Sequence, residues 1–235
     1  MAAPPGPTSL TGLILAAGFG SRLGHDMPKA LIPWGEGTIL DHQLARLREA
    51  GVGEVAVVVG FQKERIAAHV QGRPGIRLVE NPRYMDTNTA KSMLLGLQAL
   101  PHGGVVTLNG DVVFDPGILP LLLDRPDTTS LAVDPRVCGE EEIKYRVRAG
   151  RLQALSKQTH GEGEAVGVNY FAPDDRGLLA TALAYAEDGA YFERGVEFIL
   201  PFTRNPVRCV PIGQRRAMEI DFPEDLDAAR RLFAR

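Results

Sequence analysis

This chain of 235 residues has little cysteine, a single tryptophan and no excess of basic charge. Cys138 and Cys209 stand too far apart for a metal-binding pair and are too few to staple such a chain, so the reading is a reduced, cytoplasmic protein. The 26 Lys and Arg against 29 Asp and Glu leave a formal net charge of −3, which argues against a nucleic-acid partner. No apolar run approaches the roughly 18 residues of a membrane helix, so no membrane partner is expected. The apolar stretch 10–17 resembles a signal-peptide core, but no Lys or Arg precedes it. Residues 1–9 are therefore expected to be a disordered tail ahead of a single domain, 10–235. The histidines at 25, 42, 69, 102 and 160 lack zinc-site spacing, and there is no nucleophile elbow, repeat or low-complexity segment.

What the chain does have is glycine, 26 residues, and proline, 17, which suit tight loops between short elements. Hydrophobic residues at 44% are enough to bury a core. Apolar runs at 13–16, 55–59, 76–79 and 105–108 alternate with helical patterns, the arrangement of βαβ units and a parallel sheet. In 38–50, Leu40, Leu44 and Leu47 share one helical face, with Thr38 as N-cap and Gly51 as stop. In 89–100, Met93, Leu97 and Leu100 stack before Pro101. The second half differs, because strand-like pieces at 142–147, 152–156 and 165–171 have no full helices between them. They predict an antiparallel or mixed extension, followed by helices at 173–188 and 192–200, a strand at 207–212 and a last helix from Pro223.

The first strand runs into Leu15, Ala16, Ala17, Gly18, Phe19, Gly20, Ser21, Arg22, Leu23 and Gly24, a loop whose amides can approach phosphates. Leu23 stands where a dinucleotide fingerprint needs glycine, and no P-loop is present. Pro28 sets Lys29 just beyond. Arg22 and Lys29 are the candidate catalytic cations for a triphosphate, although each alone also reads as a solvated surface residue. Together, the L-A-A-G-x-G-S-R-L run and P-K-A-L resemble the signature of nucleotidyltransferases that activate alcohols and sugars. The resemblance implies a Rossmann-like three-layer α/β/α fold with a mixed, mainly parallel sheet and a small antiparallel extension. It places nucleotide at the carboxyl ends of the strands, against Leu15 to Gly18, Gly20, Ser21 and Gly110. It also implies one Mg²⁺ on Asp111 and Asp221, from Leu108-Asn109-Gly110-Asp111 and Glu219-Ile220-Asp221. Two plainer readings stand beside these: Asn109-Gly110 is a hairpin-turn dipeptide, and Asp221 with Glu224 and Pro223 makes a helix capping box.

Residues 81–93 narrow the resemblance. Thr87, Asn88 and Ser92 are similar to the T-N-N-x-x-S-L pattern of bacterial phosphocholine and phosphonate cytidylyltransferases, with Thr89 in place of the second Asn. The resemblance implies base contacts from these three residues, although Thr87 and Asn88 also read as helix caps. It implies CTP and a small phosphorylated or phosphonate acceptor as partners. Lys157 resembles the family lysine that holds the acceptor phosphate. Tyr191 and Glu193 suit an acceptor ammonium, or else simple packing and a first-turn charge. Lys144, Arg146 and Arg148 alternate onto one basic face, read as solvated. Two other readings stay open: a sugar-1-phosphate or inositol-phosphate nucleotidyltransferase, and a non-catalytic nucleotide-sensing subunit. The oligomeric state, homodimer included, is also open.

Overall fold

A computed structural model describes residues 10–20, 27–136 and 142–234. The expectations for residues 1–9, Ser21, Arg22, His25 and Cys138 fall outside them. Strand β1 (Thr11–Ala16) is buried at every position, as befits a parallel strand covered on both faces. A 3-10 turn at Lys29–Leu31 leads to a ribbon of β2 (Pro33–Trp34) and β3 (Gly37–Thr38), then to α1 (Ile39–Glu49). Thr38 caps α1: its Oγ1 accepts the Asp41 N–H at 3.2 Å, and the Asp41 carboxylate accepts the Thr38 N–H at 2.9 Å. His69 and Arg73 reach the same carboxylate. Next come β4 (Glu54–Val59), α2 (Lys63–Val70), β5 (Ile76–Glu80), α3 (Thr89–Ala99) and β6 (Val105–Asn109).

The second half adds β7 (Val112–Phe114), α4 (Ile118–Leu122), β8 (Ser130–Asp134), β9 (Lys144–Arg148), β10 (Arg151–Ser156) and β11 (Gly163–Phe171). Then follow α5 (Pro173–Tyr185), α6 (Phe192–Ile199), β12 (Arg208–Pro211), β13 (Ala217–Glu219) and α7 (Pro223–Phe233). No helix among the described residues is long and apolar enough to cross a membrane.

The main sheet runs β10-β9-β11-β6-β1-β4-β5, with β8 also on β11 and β12 on β8. Strands β6, β1, β4 and β5 are parallel neighbours, and β11 joins β6 antiparallel to open the expected extension. Alternate residues of β1 face opposite layers. Ile14 and Ala16 pack with Leu40, Leu44 and Leu47 of α1 and with Ile66 and Val70 of α2. Leu13 and Leu15 pack with Met93 and Leu97 of α3, Leu179 of α5 and Val196 of α6. Each such leucine contributes about 2 kcal/mol of burial. On β9, Tyr145 is buried and Arg146 and Arg148 point outward, while the Lys144 ammonium donates to the Lys157 carbonyl at 3.0 Å.

Two local expectations are corrected. Strands β6 and β7 do not form a hairpin, because β7 pairs antiparallel with β13, Val112 opposite Glu219. Pairing with β13, whose Met218 packs with Val113 and Ile220, replaces the local turn. The last helix has no full capping box and begins one residue later than expected: with Phe222 at the N-cap, only the N3 half is made, Asp225 rather than Glu224 accepting the N–H groups of Asp221 (3.0 Å) and Phe222 (2.8 Å). That shift leaves the Asp221 carboxylate to turn elsewhere.

Candidate active site

The carboxyl ends of β1 and β6 lie side by side, Leu15 opposite Asn109. The Gly110 N–H donates to the Leu15 carbonyl at 3.0 Å, and a Cβ on Gly110 would stand 2.4 Å from that oxygen. Only glycine lets the Asp111 loop lie so close to the glycine loop. Gly20 has φ +62°, and a Cβ there would come within 2.8 Å of the Lys29 stem. Both loops open on a cavity of about 930 Å³, with Leu15, Ala16, Gly18, Gly20 and Gly110 in its wall.

Lys29 crosses the mouth of this cradle. Its Nζ donates to Asp111 Oδ2 at 3.0 Å and to Asp221 Oδ1, joining the 3-10 turn to the β6–β7 loop and the start of α7. Burial opposes the lysine's charge, but the two carboxylates outweigh it and raise its pKa above the ordinary value. Two carboxylate oxygens that reach one ammonium can also share one small dication, and hard oxygen donors suit Mg²⁺. No cluster of three or more His, Cys, Asp or Glu suited to a metal occurs among the described residues, so water and phosphate oxygens would supply the other ligands. Glu219 lies beside the pair, accepting from Asn109 Nδ2 at 2.5 Å; burial and the charge of Asp111 push its pKa up.

Elsewhere in the cavity wall, Glu193 on α6 is 6% exposed, and its Oε2 has no hydrogen-bond partner. Burial pushes its pKa up to about 7, against the attraction of Lys157. The Lys157 ammonium sits 5.1 Å from the centre of the Tyr191 ring. Glu164 faces the same space, its pKa raised to about 7 by burial and by Glu142 and Asp134. Two segments build this wall together. Asn88 N–H donates to the Asp188 carbonyl (2.8 Å), Ala90 N–H to the Ala190 carbonyl (3.2 Å) and Phe192 N–H to Thr89 Oγ1 (3.0 Å).

Residues 12–173, which include the glycine loop after β1 and the Asp111 loop, match the MobA-like NTP transferase domain. The chain belongs to that family. This MobA-like domain is 37% identical over 136 residues to the CMP-5'-(3-aminopropyl)phosphonate synthase of Streptomyces rubellomurinus, a match covering 55% of the chain and 22% of that relative. It spans less than half the length of the curated relatives it matches first. Two solved structures share the fold. The CTP:phosphocholine cytidylyltransferase of Streptococcus pneumoniae has a TM-score of 0.76 at 18% identity, over 96% of this chain and 99% of that one. The inositol-1-phosphate CTP transferase of T. maritima has a TM-score of 0.78 at 19% identity, over 97% and 96%.

In this MobA-like domain the cavity brings together Leu15, Ala16, Gly18, Gly20, Lys29, Gly110, Asp111, Asp221, Lys157, Tyr191 and Glu193 from the sequence-derived set. Ala17 lies behind the loop, its carbonyl accepting the Phe61 N–H at 3.1 Å. Thr87, Asn88 and Ser92 are not among the lining residues. Asn81 Nδ2 donates to Thr87 Oγ1 and Ser92 Oγ, both at 3.0 Å, and Asn88 Oδ1 caps α3 through the Thr89 N–H. Thr89, which they position, does reach the wall. Thr89, notable in the sequence only as the replacement for the second Asn, and Glu219, part of the Glu219-Ile220-Asp221 run, carry no local signal for a place in this wall.

Proposed function

We propose that this chain is a Mg²⁺-dependent cytidylyltransferase that couples CTP to a small phosphorylated or phosphonate acceptor carrying an ammonium group. The observation that carries this reading is Lys29 held between Asp111 and Asp221 at the mouth of a glycine loop. An acceptor phosphate or phosphonate oxygen attacks the α-phosphorus of CTP. The new P–O bond forms as the bond to the β-phosphate oxygen breaks, and pyrophosphate leaves. The nucleophile is already an anion, so no general base or covalent enzyme intermediate is needed, and catalysis rests on alignment and charge stabilisation.

Asp111 and Asp221 would hold Mg²⁺, which neutralises charge at the α-phosphate when bound. Lys29 supplies positive charge for the departing pyrophosphate, together with the amides of Gly18 to Gly20; Ser21 and Arg22 are assigned to the same group. Carboxylates outnumber cations among the described residues of the cavity wall, so two anionic substrates can share it only with added positive charge. Lys157 is assigned to the acceptor's phosphate or phosphonate. Glu193, with one buried oxygen unpartnered, and Tyr191 are assigned to its ammonium. The nucleotide named in the cytidylyl relatives supports CTP.

The test is pyrophosphate release from each of four NTPs with a panel of acceptors: 2-aminoethylphosphonate, phosphocholine, a hydroxyalkylphosphonate, an inositol phosphate and a hexose 1-phosphate. CTP with an amine-bearing acceptor is expected to lead. Equal turnover of UTP would move the chain to sugar activation. Nucleotide binding with no pyrophosphate from any pair would make it a sensing subunit.

A further inference from the structure

Gln43 sits on α1, outside the cavity wall, and is fully buried among apolar side chains. Its Nε2 donates to the Asn109 carbonyl at 2.7 Å and to the Val112 carbonyl at 2.9 Å, the two residues that bracket Gly110 and Asp111. The Asp111 loop is gripped on two further sides. Gly110 N–H binds the Leu15 carbonyl, and Ile220 N–H, next to Asp221, donates to the Asp111 carbonyl at 3.0 Å. The Gln43 amide therefore fixes the chain reversal from which Asp111 faces Asp221. Its neighbour His42 holds the next turn of the path, its Nε2 accepting the Phe114 N–H at 3.1 Å. Burial keeps that imidazole neutral, with a pKa near 4.

Packing alone would favour methionine at position 43, because the Gln43 Oε1 is buried without a hydrogen-bond partner. The value of the glutamine lies in its two N–H donors and in the two carbonyls they hold. We infer that Gln43 is a positioning residue of the active site, setting the separation of Asp111 and Asp221 and so the affinity of that pair for a divalent cation. The inference rests on the reading of Asp111 and Asp221 as a cation pair.

The test is Mn²⁺ binding to the whole chain, followed by electron paramagnetic resonance in the presence of CTP and without acceptor. Gln43→Met keeps the volume and removes both donors; Gln43→Glu sets a carboxyl against the two carbonyl oxygens. The Met variant is expected to bind Mn²⁺ roughly tenfold to a hundredfold more weakly, with an altered spectrum of the bound ion, and the Glu variant, whose buried acid form keeps one donor, to lose a smaller but clear part of the affinity. CTP binding measured in EDTA should stay within about twofold. Leu44→Ala, on the same helix and in the same core, is the control for lost packing and should lower the melting temperature without weakening Mn²⁺. Wild-type affinity in folded Gln43→Met overturns the inference, as does an equal loss in Leu44→Ala. If Gln43→Met does not fold, the Glu variant decides by the same two criteria, and if neither folds, Gln43 is structural and the inference fails. A wild-type chain that binds no Mn²⁺ defeats the cation-pair reading itself.

Discussion

Lys29 Nζ lies 3.0 Å from Asp111 Oδ2 and at the same time holds Asp221, so one ammonium stands where two carboxylates could share a dication. Ammonium and metal must compete for those oxygens. Nucleotide phosphates give Lys29 another partner, so nucleotide and metal should bind with positive coupling. Without nucleotide, Lys29→Met is expected to bind Mn²⁺ about tenfold more tightly than wild type, while turnover falls steeply. Lys157→Met removes the same charge from another part of the cavity wall and should leave Mn²⁺ affinity nearly unchanged. Equal gains in the two variants, by titration calorimetry, would reduce the effect to net charge.

Asp111→Asn and Asp221→Asn each keep the side chain's shape and remove the negative charge proposed to hold the metal. Each is expected to lower turnover by roughly 100-fold or more, with the circular dichroism spectrum preserved. Near wild-type rates for either variant at saturating Mg²⁺ would take that residue out of the metal site.

Glu193→Gln should raise KM for an amine-bearing acceptor and spare an amine-free analogue of equal size. Matched losses for both acceptors would remove Glu193 from ammonium recognition. The same variant has a stability signature. The folded protein raises the Glu193 pKa to about 7, so the native state favours the protonated acid. Stability from this group is full below the ordinary glutamate pKa and is lost as pH rises through about 7. At pH 8 the ligand-free Gln variant should therefore be the more stable, by up to about 3 kcal/mol, with the gain vanishing toward pH 4. Urea titrations at the two pH values measure both ends.

Asp41 runs the other way. Burial alone would raise its pKa, but hydrogen bonds from Arg73, Thr38 and His69 outweigh that and hold it at about 2. Its contribution is present above the ordinary aspartate pKa and lost as pH falls toward 2. Asp41→Asn is expected to cost on the order of 1–2 kcal/mol at pH 7 and progressively less below pH about 4. A deficit unchanged at pH 2.5 would assign the loss to the shape of the cap.

Strands β1, β4, β5 and β6 were legible because each is an apolar run in a βαβ alternation. β8 was not. Its Ser130 and the preceding Thr129 are polar yet buried, with their hydroxyls donating to the Thr128 carbonyl and to Asp175, contacts that periodicity cannot register. At the site, the glycine loop, Lys29 and both aspartates were readable from local motifs. Glu219 and Thr89 matter through partners roughly a hundred residues away. Gln43 had left one signal. It falls with Leu40, Leu44 and Leu47 on the i, i+3, i+4, i+7 stripe, a polar residue on an apolar face.

The backbone hydrogen bonds from Asn88 and Ala90 to the carbonyls of Asp188 and Ala190 bear on how acceptor choice could be re-engineered. A graft of residues 188–193 from another transferase would have to offer carbonyls in the same register, or leave the Asn88 and Ala90 amides without acceptors at the start of α3. It would also have to keep the Phe192 N–H on Thr89, the one side-chain tie between the two segments given above. If Tyr191 and Glu193 read the acceptor as proposed, the unit to transplant is discontinuous in sequence, residues 87–92 together with 188–193. A library that varies only the second segment samples mostly chains whose new side chains stand on a displaced wall.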